Sequence, residues 1–190
     1  MFPLKKQFIY SVSSDTKNHS FKDIAEIPIG ETHPGSFGYV RKNHIHEGVD
    51  IYCEFGDEVF SIEEGIIEKI IPFTGSIAGS PWWNDTYSIL VRHKHCYINY
   101  GEIIPCDDLF TGEYIGEGRI LGYITPVLKT NKGRPMNMLH LEAYSLKSPI
   151  SAIPIKSWDL DMQKPDYLLN PSTLLAIYIN NYLLSSKKTI

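Results

Sequence analysis

Residues 58–72 read EVFSIEEGIIEKIIP and contain two short β-rich runs, 58–62 and 65–71, the second of which ends at Pro72. Both runs are rich in residues that strands favour, and Gly65 separates them. Working outward, similar runs follow at 87–91, 96–103, 120–124 and 138–144. Strands this short, with no long helical pattern between them, predict a mainly β fold with antiparallel sheet and no βαβ units.

The sequence predicts one helix, near the C-terminal end. Asn170 is a good N-cap residue and Pro171 suits the first helical position. The apolar side chains that follow at helical spacing are Leu174, Leu175, Tyr178 and Tyr182. We therefore expect three parts: an arm or edge strand over 1–36, a β domain over 37–150, and an extension over 151–190 whose helix packs against the sheet.

Composition excludes several classes of protein. The chain of 190 residues has 18 basic and 22 acidic side chains, a net charge of −4, which argues against binding nucleic acid through phosphate contacts. No apolar run approaches the roughly 20 residues that span a bilayer. The first residues are basic, but the apolar stretch after them breaks at Ser11, so we expect no classical export signal and a cytoplasmic protein as synthesised. Three cysteines cannot all pair within one chain; we expect free thiols, with one disulfide as the alternative.

Two histidines stand in contexts that suit a metal. His46 and Asp50 flank Gly48, and on an extended strand all three would face one side, with the glycine leaving room for an ion. Farther along, His140 shares a strand face with Met138 and Glu142. Together His46, Asp50 and His140 are three zinc ligands of the usual types, which leave a fourth position for water, as catalytic zinc sites do.

The order of these motifs resembles that of the lysostaphin-type zinc endopeptidases (LytM-like domains), which cut the peptides of bacterial peptidoglycan. The resemblance runs from about residue 37 to 144 and rests on segments 37–39, 46–52, 56–62, 65–67, 114–123 and 139–142. It implies an antiparallel β-sheet groove of the duplicated hybrid motif type, with Zn²⁺ at its floor. It also implies peptidoglycan or a related peptide as the partner, which the chain would reach after lysis or by a non-classical route. The sequence indicates no oligomeric state.

The chain departs from this family at two positions. The family has two auxiliary catalytic histidines, and this chain has Met138 in place of one and Glu102 in place of the other. Methionine cannot accept a proton. If Tyr100 and Glu102 share a strand face, the Glu102 carboxylate faces the metal and can act as the base. The alternative is that Glu102 only neutralises the site or pairs with a surface lysine.

Further candidates surround this set. His44 would lend a hydrogen bond to the ligands or serve as a spare ligand, and Tyr100 would lie beside the site. Trp82 and Trp83 would form a wall of the substrate groove, or anchor their loop to the body. Lys132 and Arg134 would meet a substrate carboxylate.

Two functions remain open. The first is a zinc metalloendopeptidase in which Glu102 moves the proton. The second is a non-catalytic LytM-like module that binds cell-wall peptide or regulates another hydrolase. The three ligand types favour the first, whereas the loss of both auxiliary histidines favours the second.

Overall fold

A computed structural model describes residues 1–12, 20–131, 133 and 135–186 of the chain. Lys132 and Arg134 lie outside the described residues, as does the side chain of Tyr182. The strands of the described chain are β1 (Gln7–Ser11), β2 (Ile24–Pro28), β3 (His44–Ile45), β4 (Val49–Tyr52), β5 (Glu58–Phe60), β6 (Gly65–Thr74), β7 (Thr86–His93), β8 (Cys96–Pro105), β9 (Tyr114–Ile115), β10 (Ile120–Ile124), β11 (Met138–Ser145), β12 (Trp158–Asp159) and β13 (Leu168–Leu169). The α-helix α1 spans Pro171–Ser186, and short 3₁₀ turns lie at Ser76–Ala78 and Ile150–Ala152.

Eleven of the described strands form one large sheet. Its main path is β1-β2-β4-β11-β8-β7-β6-β9, while β10 joins β5 to β8 and β13 pairs with β11. The remaining two strands, β3 and β12, form a separate small sheet. The prediction of a mainly β fold with a C-terminal helix is confirmed.

One pairing departs from the antiparallel prediction. β1 and β2 run parallel at the edge of the large sheet, from Gln7 opposite Ile24 to Ser11 opposite Pro28. A parallel pair needs a connection of about a dozen residues, which residues 12–23 supply. The other pairings in this sheet are antiparallel among the described residues.

The helix begins as the sequence predicts. The Ser172 N–H donates to Asn170 Oδ1 at 2.9 Å, so Asn170 caps the helix that starts at Pro171. Leu175 and Ile179 are buried in the main core, and Leu174 and Tyr178 pack against it. No helix of the described part is both long and apolar enough to cross a membrane.

The cysteines carry no bridge in the described structure. Cys53 and Cys96 are buried free thiols, and Cys106 is partly exposed. Burial raises the pKa of Cys96 to about 11, which keeps this thiol protonated and unreactive at neutral pH.

Candidate metal centre

The register of three central strands brings the predicted ligands together. β11 lies between β4 and β8, so that His140 is opposite Asp50 on one side and Gly101 on the other. His46 comes from the short segment between β3 and β4. The expectation of one continuous strand through His46 and Asp50 is wrong, because β3 pairs with β12 in the small sheet and β4 belongs to the large one. The chain changes sheets between Ile45 and Val49, and this turn directs His46 toward His140.

The three ligand atoms converge. Asp50 Oδ1 lies 2.7 Å from His140 Nδ1 and 3.1 Å from His46 Nε2, and the two nitrogens are 3.3 Å apart. Tetrahedral zinc with bonds of about 2.0–2.1 Å holds its ligand atoms about 3.3–3.4 Å from one another. Because all three residues are buried, a small cation can be enclosed by these atoms with little movement. The donor set therefore fits a zinc ion.

Partners behind the ligands fix the orientation of each one. His46 Nδ1 donates to the Ser36 carbonyl at 2.9 Å, which leaves its Nε2 lone pair facing the other ligands. His140 Nε2 donates to Glu142 Oε1 at 3.2 Å, which leaves Nδ1 facing Asp50. Arg41 binds the second Asp50 oxygen at 2.6 Å. Hydrogen bonds of this kind set the tautomer and basicity of metal ligands.

The charge state of two ligands also suits a metal. Burial lowers the pKa of His46, so its imidazole is neutral at pH 7. Burial alone would raise the pKa of Asp50, but the charges of His46 and Arg41 and the hydrogen bond from His140 outweigh it and hold that pKa well below its usual range. Neutral imidazole and ionised carboxylate are the forms that bind metals.

A β-bulge determines where Glu102 points. Tyr100 is opposite Ile89 and Ile103 is opposite Tyr87, so Gly101 and Glu102 together face the single residue between them on β7. Glu102 has a φ of 65°, which is uncommon for a residue with a side chain. Such backbone strain is concentrated at functional sites.

The bulge separates Tyr100 from Glu102, and the prediction that they share a face is wrong. Tyr100 is fully buried in the core, where its hydroxyl accepts the Ile62 N–H at 3.1 Å and bonds His93 Nε2 at 3.0 Å. It therefore does not line the groove. An extra residue in a strand reverses the alternation of side chains, and this reversal turns Glu102 to the other face.

Glu102 lies beside the candidate centre in an unusual environment. Its side chain is buried, it lines the same cleft as His140, and its Oε2 has no hydrogen-bond partner among the described residues. Burial first, and then the charge of Asp50, raise the pKa of Glu102 to about 8, although His140 and Arg41 act in the opposite direction. A carboxyl with a pKa near neutrality is suited to accepting and releasing a proton.

This pKa predicts how the stability of the metal-free chain depends on pH. The folded state binds a proton at Glu102 up to about pH 8, whereas the unfolded state releases it near 4.5. The Glu102 contribution to the free energy of unfolding therefore falls as pH rises through this window. We expect Glu102→Gln to match the native chain near pH 5 and, at pH 8.5, to be more stable by about 1 kcal/mol or more, roughly 2–4 °C in Tm. Thermal unfolding with chelator measures this; a pH-independent difference contradicts it, and exposed Glu31→Gln is the control.

The ligands open onto a cleft of about 250 Å³. His44 and Trp83 line it with His140 and Glu102, and so does the segment 155–157. His44 is not part of the converging group. Trp82 is 69% exposed and does not line this cleft, so only the second tryptophan of the pair reaches it. Two larger cavities, of about 680 and 700 Å³, adjoin the N-terminal segment and α1, and none of the three ligands lines them.

Sequence reasoning missed two supports of the site. Arg41 was not singled out, although the Phe-Gly-Tyr-Val-Arg run that ends at this residue precedes His46 by five positions. Phe73 packs against the His140 ring with centroids 5.4 Å apart, and Gly101 leaves space for this phenylalanine. Neither contact leaves a signal in the sequence, because each joins residues that are distant along the chain.

Gly48 has a different role from the predicted one. A Cβ at this position would lie 2.4 Å from the Leu141 carbonyl oxygen and 2.7 Å from His140 Nε2. The space that the glycine leaves is therefore filled by the His140 ring and the β11 backbone, and not by an ion. A side chain at position 48 would push the ligand strand away from His46.

We expect Gly48→Ala to destabilise the chain by about 1–3 kcal/mol, the usual cost of overpacking. Denaturant unfolding measures this change. The matched control is Gly116→Ala, since a methyl group added at Gly116 would meet no atom within 4 Å and the residue has no positive φ; its effect should stay within about 0.5 kcal/mol. Equal stability of the two variants would contradict the tight packing of Gly48.

Known structures share this fold. The catalytic domain of the antimicrobial peptidase lysostaphin from Staphylococcus simulans matches with a TM-score of 0.50 and 16% identity, over 87% of this chain and 99% of that one. CbpA from L. salivarius REN matches at 0.46 and 22%, over 72% and 77%. The catalytic domain of the prophage-encoded M23 protein EnpA from Enterococcus faecalis matches at 0.43 and 14%, over 75% and 84%. No protein-family model matches the sequence. A search of curated proteins gives no significant match. The chain thus has the LytM-like fold of the lysostaphin catalytic domain.

Proposed function

We propose that this chain, which shares the fold of an antimicrobial peptidase, is a zinc-dependent endopeptidase of the peptidoglycan-hydrolase type. The observation that carries the proposal is the convergence of His46 Nε2, Asp50 Oδ1 and His140 Nδ1 at the floor of an open cleft. Two histidines and one carboxylate leave one position of a tetrahedral ion free, as catalytic zinc sites require.

In this proposal His46, Asp50 and His140 hold the ion, and Arg41 and Glu142 keep two of the ligands in place. A zinc ion in such a site polarises a carbonyl and makes water a better nucleophile at neutral pH. The partly enclosed cleft limits the access of bulk water and so strengthens the electrostatic interactions inside it.

Glu102 is the proposed proton acceptor. Its carboxylate is buried, faces the cleft and has an oxygen without a hydrogen-bond partner among the described residues, so it is free to bond a water molecule. Glu102 would take a proton from that water as the water attacks a peptide carbonyl, and would pass the proton to the leaving amine. The alternative pairing with a surface lysine has no support in the described contacts of Glu102.

A second function is favoured by a specific observation. Met138 and Glu102 stand where the resembled family has its auxiliary histidines, and a domain without those groups can bind peptide without cutting it. The second candidate is therefore a non-catalytic module that uses the same cleft to bind cell-wall peptide or to regulate another hydrolase.

Digestion of purified peptidoglycan separates the two candidates. The full chain, loaded with one equivalent of zinc, is incubated with the cell walls, and new amino termini are counted against a chelated sample. We expect their release only with zinc, and its recovery when zinc is restored. Sedimentation of the chain with cell walls, without release of amino groups in any peptidoglycan type tested, would support the binding module and reject the enzyme.

A further inference from the structure

Glu142 is buried at the centre of a hydrogen-bond network behind the candidate metal centre. It follows His140 by two residues on β11 and is 3% exposed. Its Oε1 accepts the His140 Nε2 hydrogen at 3.2 Å. Its Oε2 accepts from Asn99 Nδ2 at 2.9 Å and from the Tyr144 hydroxyl at 2.7 Å. Three donors thus hold one carboxylate in a single orientation.

The orientation of Glu142 determines which nitrogen His140 offers to the cleft. An imidazole can present either ring nitrogen, and the choice is set by the bond that the other nitrogen makes. With Nε2 donating to Glu142, Nδ1 is the atom that lies 2.7 Å from Asp50 Oδ1. Among the described residues, Glu142 is the acceptor that holds the Nε2 side of the ring in place.

We infer that Glu142 is the positioning residue that fixes His140 as an Nδ1 ligand and so sets the metal affinity of the site. This inference rests on the proposed function, since it takes His46, Asp50 and His140 as metal ligands. Glu142 does not touch the converging atoms itself; it acts through His140, and its own position depends on Asn99 and Tyr144.

The same network extends to the rim of the cleft. The Tyr144 hydroxyl, which donates to Glu142, also accepts the Ile155 N–H at 3.0 Å. Ile155 lines the cleft. Tyr144 therefore connects the cleft-lining segment 155–157 to the support of a metal ligand, so that loosening this segment should weaken the metal site.

Metal titration of the full chain tests the inference without any measurement of turnover. The metal-free protein is titrated with Zn²⁺ against a chromophoric chelator, and with Co²⁺ while its visible absorption is recorded. We expect Glu142→Ala to raise the Kd for zinc by about 10–100-fold, the usual cost of losing such a partner. The intensity and position of the Co²⁺ bands should change as well, because the ligand geometry is altered.

The conservative variant should restore much of the affinity. In Glu142→Gln the amide oxygen can still accept from His140, and Asn99 can turn its Oδ1, which has no hydrogen-bond partner among the described residues, toward the new amide. We expect its Kd to lie between those of the native chain and Glu142→Ala. Tyr144→Phe, which removes one of three donors, should raise the Kd by about threefold to tenfold.

Glu47→Gln is the matched control for charge. Glu47 lines the same cleft and accepts the Trp158 N–H at 3.0 Å, which a glutamine oxygen can also do, and this bond is to the backbone and not to a ligand histidine. Its Kd should stay within about threefold of the native value. A loss in Glu47→Gln as large as that in Glu142→Gln would overturn the inference, because cleft charge alone would then explain both.

Failure of the inference and failure of the proposed function have different signatures. Native affinity in Glu142→Ala and Glu142→Gln overturns the inference and leaves the peptidase proposal standing. If Glu142→Ala does not fold, native affinity in both Glu142→Gln and Tyr144→Phe overturns it equally. The expected ranking of affinities in a chain that cuts no peptidoglycan supports the inference and rejects the peptidase.

Discussion

Replacing Glu102 by glutamine is expected to lower kcat for peptide hydrolysis by about 10²–10⁴-fold, the range that a general base contributes. Glutamine has nearly the same shape but cannot accept a proton near neutral pH. Because Glu102 is not one of the converging ligand atoms, zinc should still bind at about one ion per chain. The measurement is initial velocity on solubilised peptidoglycan, with zinc content determined on the same samples.

The control for this substitution is Glu31→Gln, which changes an exposed glutamate in the same way and should keep native activity. Activity of Glu102→Gln within a few fold of the native rate would remove Glu102 from the mechanism. It would leave the carboxylate as a group that only balances charge at the site. Loss of zinc together with activity would instead indicate that Glu102 supports the metal.

The second large effect is expected at the ligands. His46→Ala and His140→Ala should each reduce the bound zinc from about one ion per chain to a small fraction, because two remaining ligands hold zinc too weakly to survive dialysis. Elemental analysis of the dialysed chains measures the content. Loss of hydrolysis should accompany the loss of metal in both variants.

His95→Ala is the matched control, because His95 is exposed and is not part of the converging group. Its zinc content should equal that of the native chain. A native chain that takes up no zinc after reconstitution would remove the peptidase mechanism. Retention of zinc in His140→Ala would mean that the ion binds elsewhere on the chain.

The sequence predicts the elements of this fold better than it predicts their exact relations. The short β-rich runs correspond to strands, and Asn170 and Pro171 mark the beginning of α1, because propensity and capping act between neighbours in the chain. The parallel pairing of β1 and β2 depends instead on how two separate segments meet at a sheet edge. Local patterns contain no information on that choice.

The candidate site shows the same division. His46, Asp50 and His140 could be selected together because their residue types and motif context are local, and the structure brings their ligand atoms within contact distance. The faces of Tyr100 and Glu102 were predicted wrongly because strict alternation was assumed. The bulge at Gly101–Glu102 arises from the register between β8 and β7, which neither strand reveals alone.

The small sheet has a consequence for dissecting the chain into pieces. β12, in the C-terminal extension, pairs with β3 directly before His46, and the Trp158 N–H bonds Glu47 directly after it. A truncated protein ending at residue 150 would lose both anchors on either side of the first ligand, together with the cleft-lining segment 155–157. The minimal fragment that retains the whole site framework therefore extends at least to Asp159, so the extension is part of the working unit and not a dispensable tail.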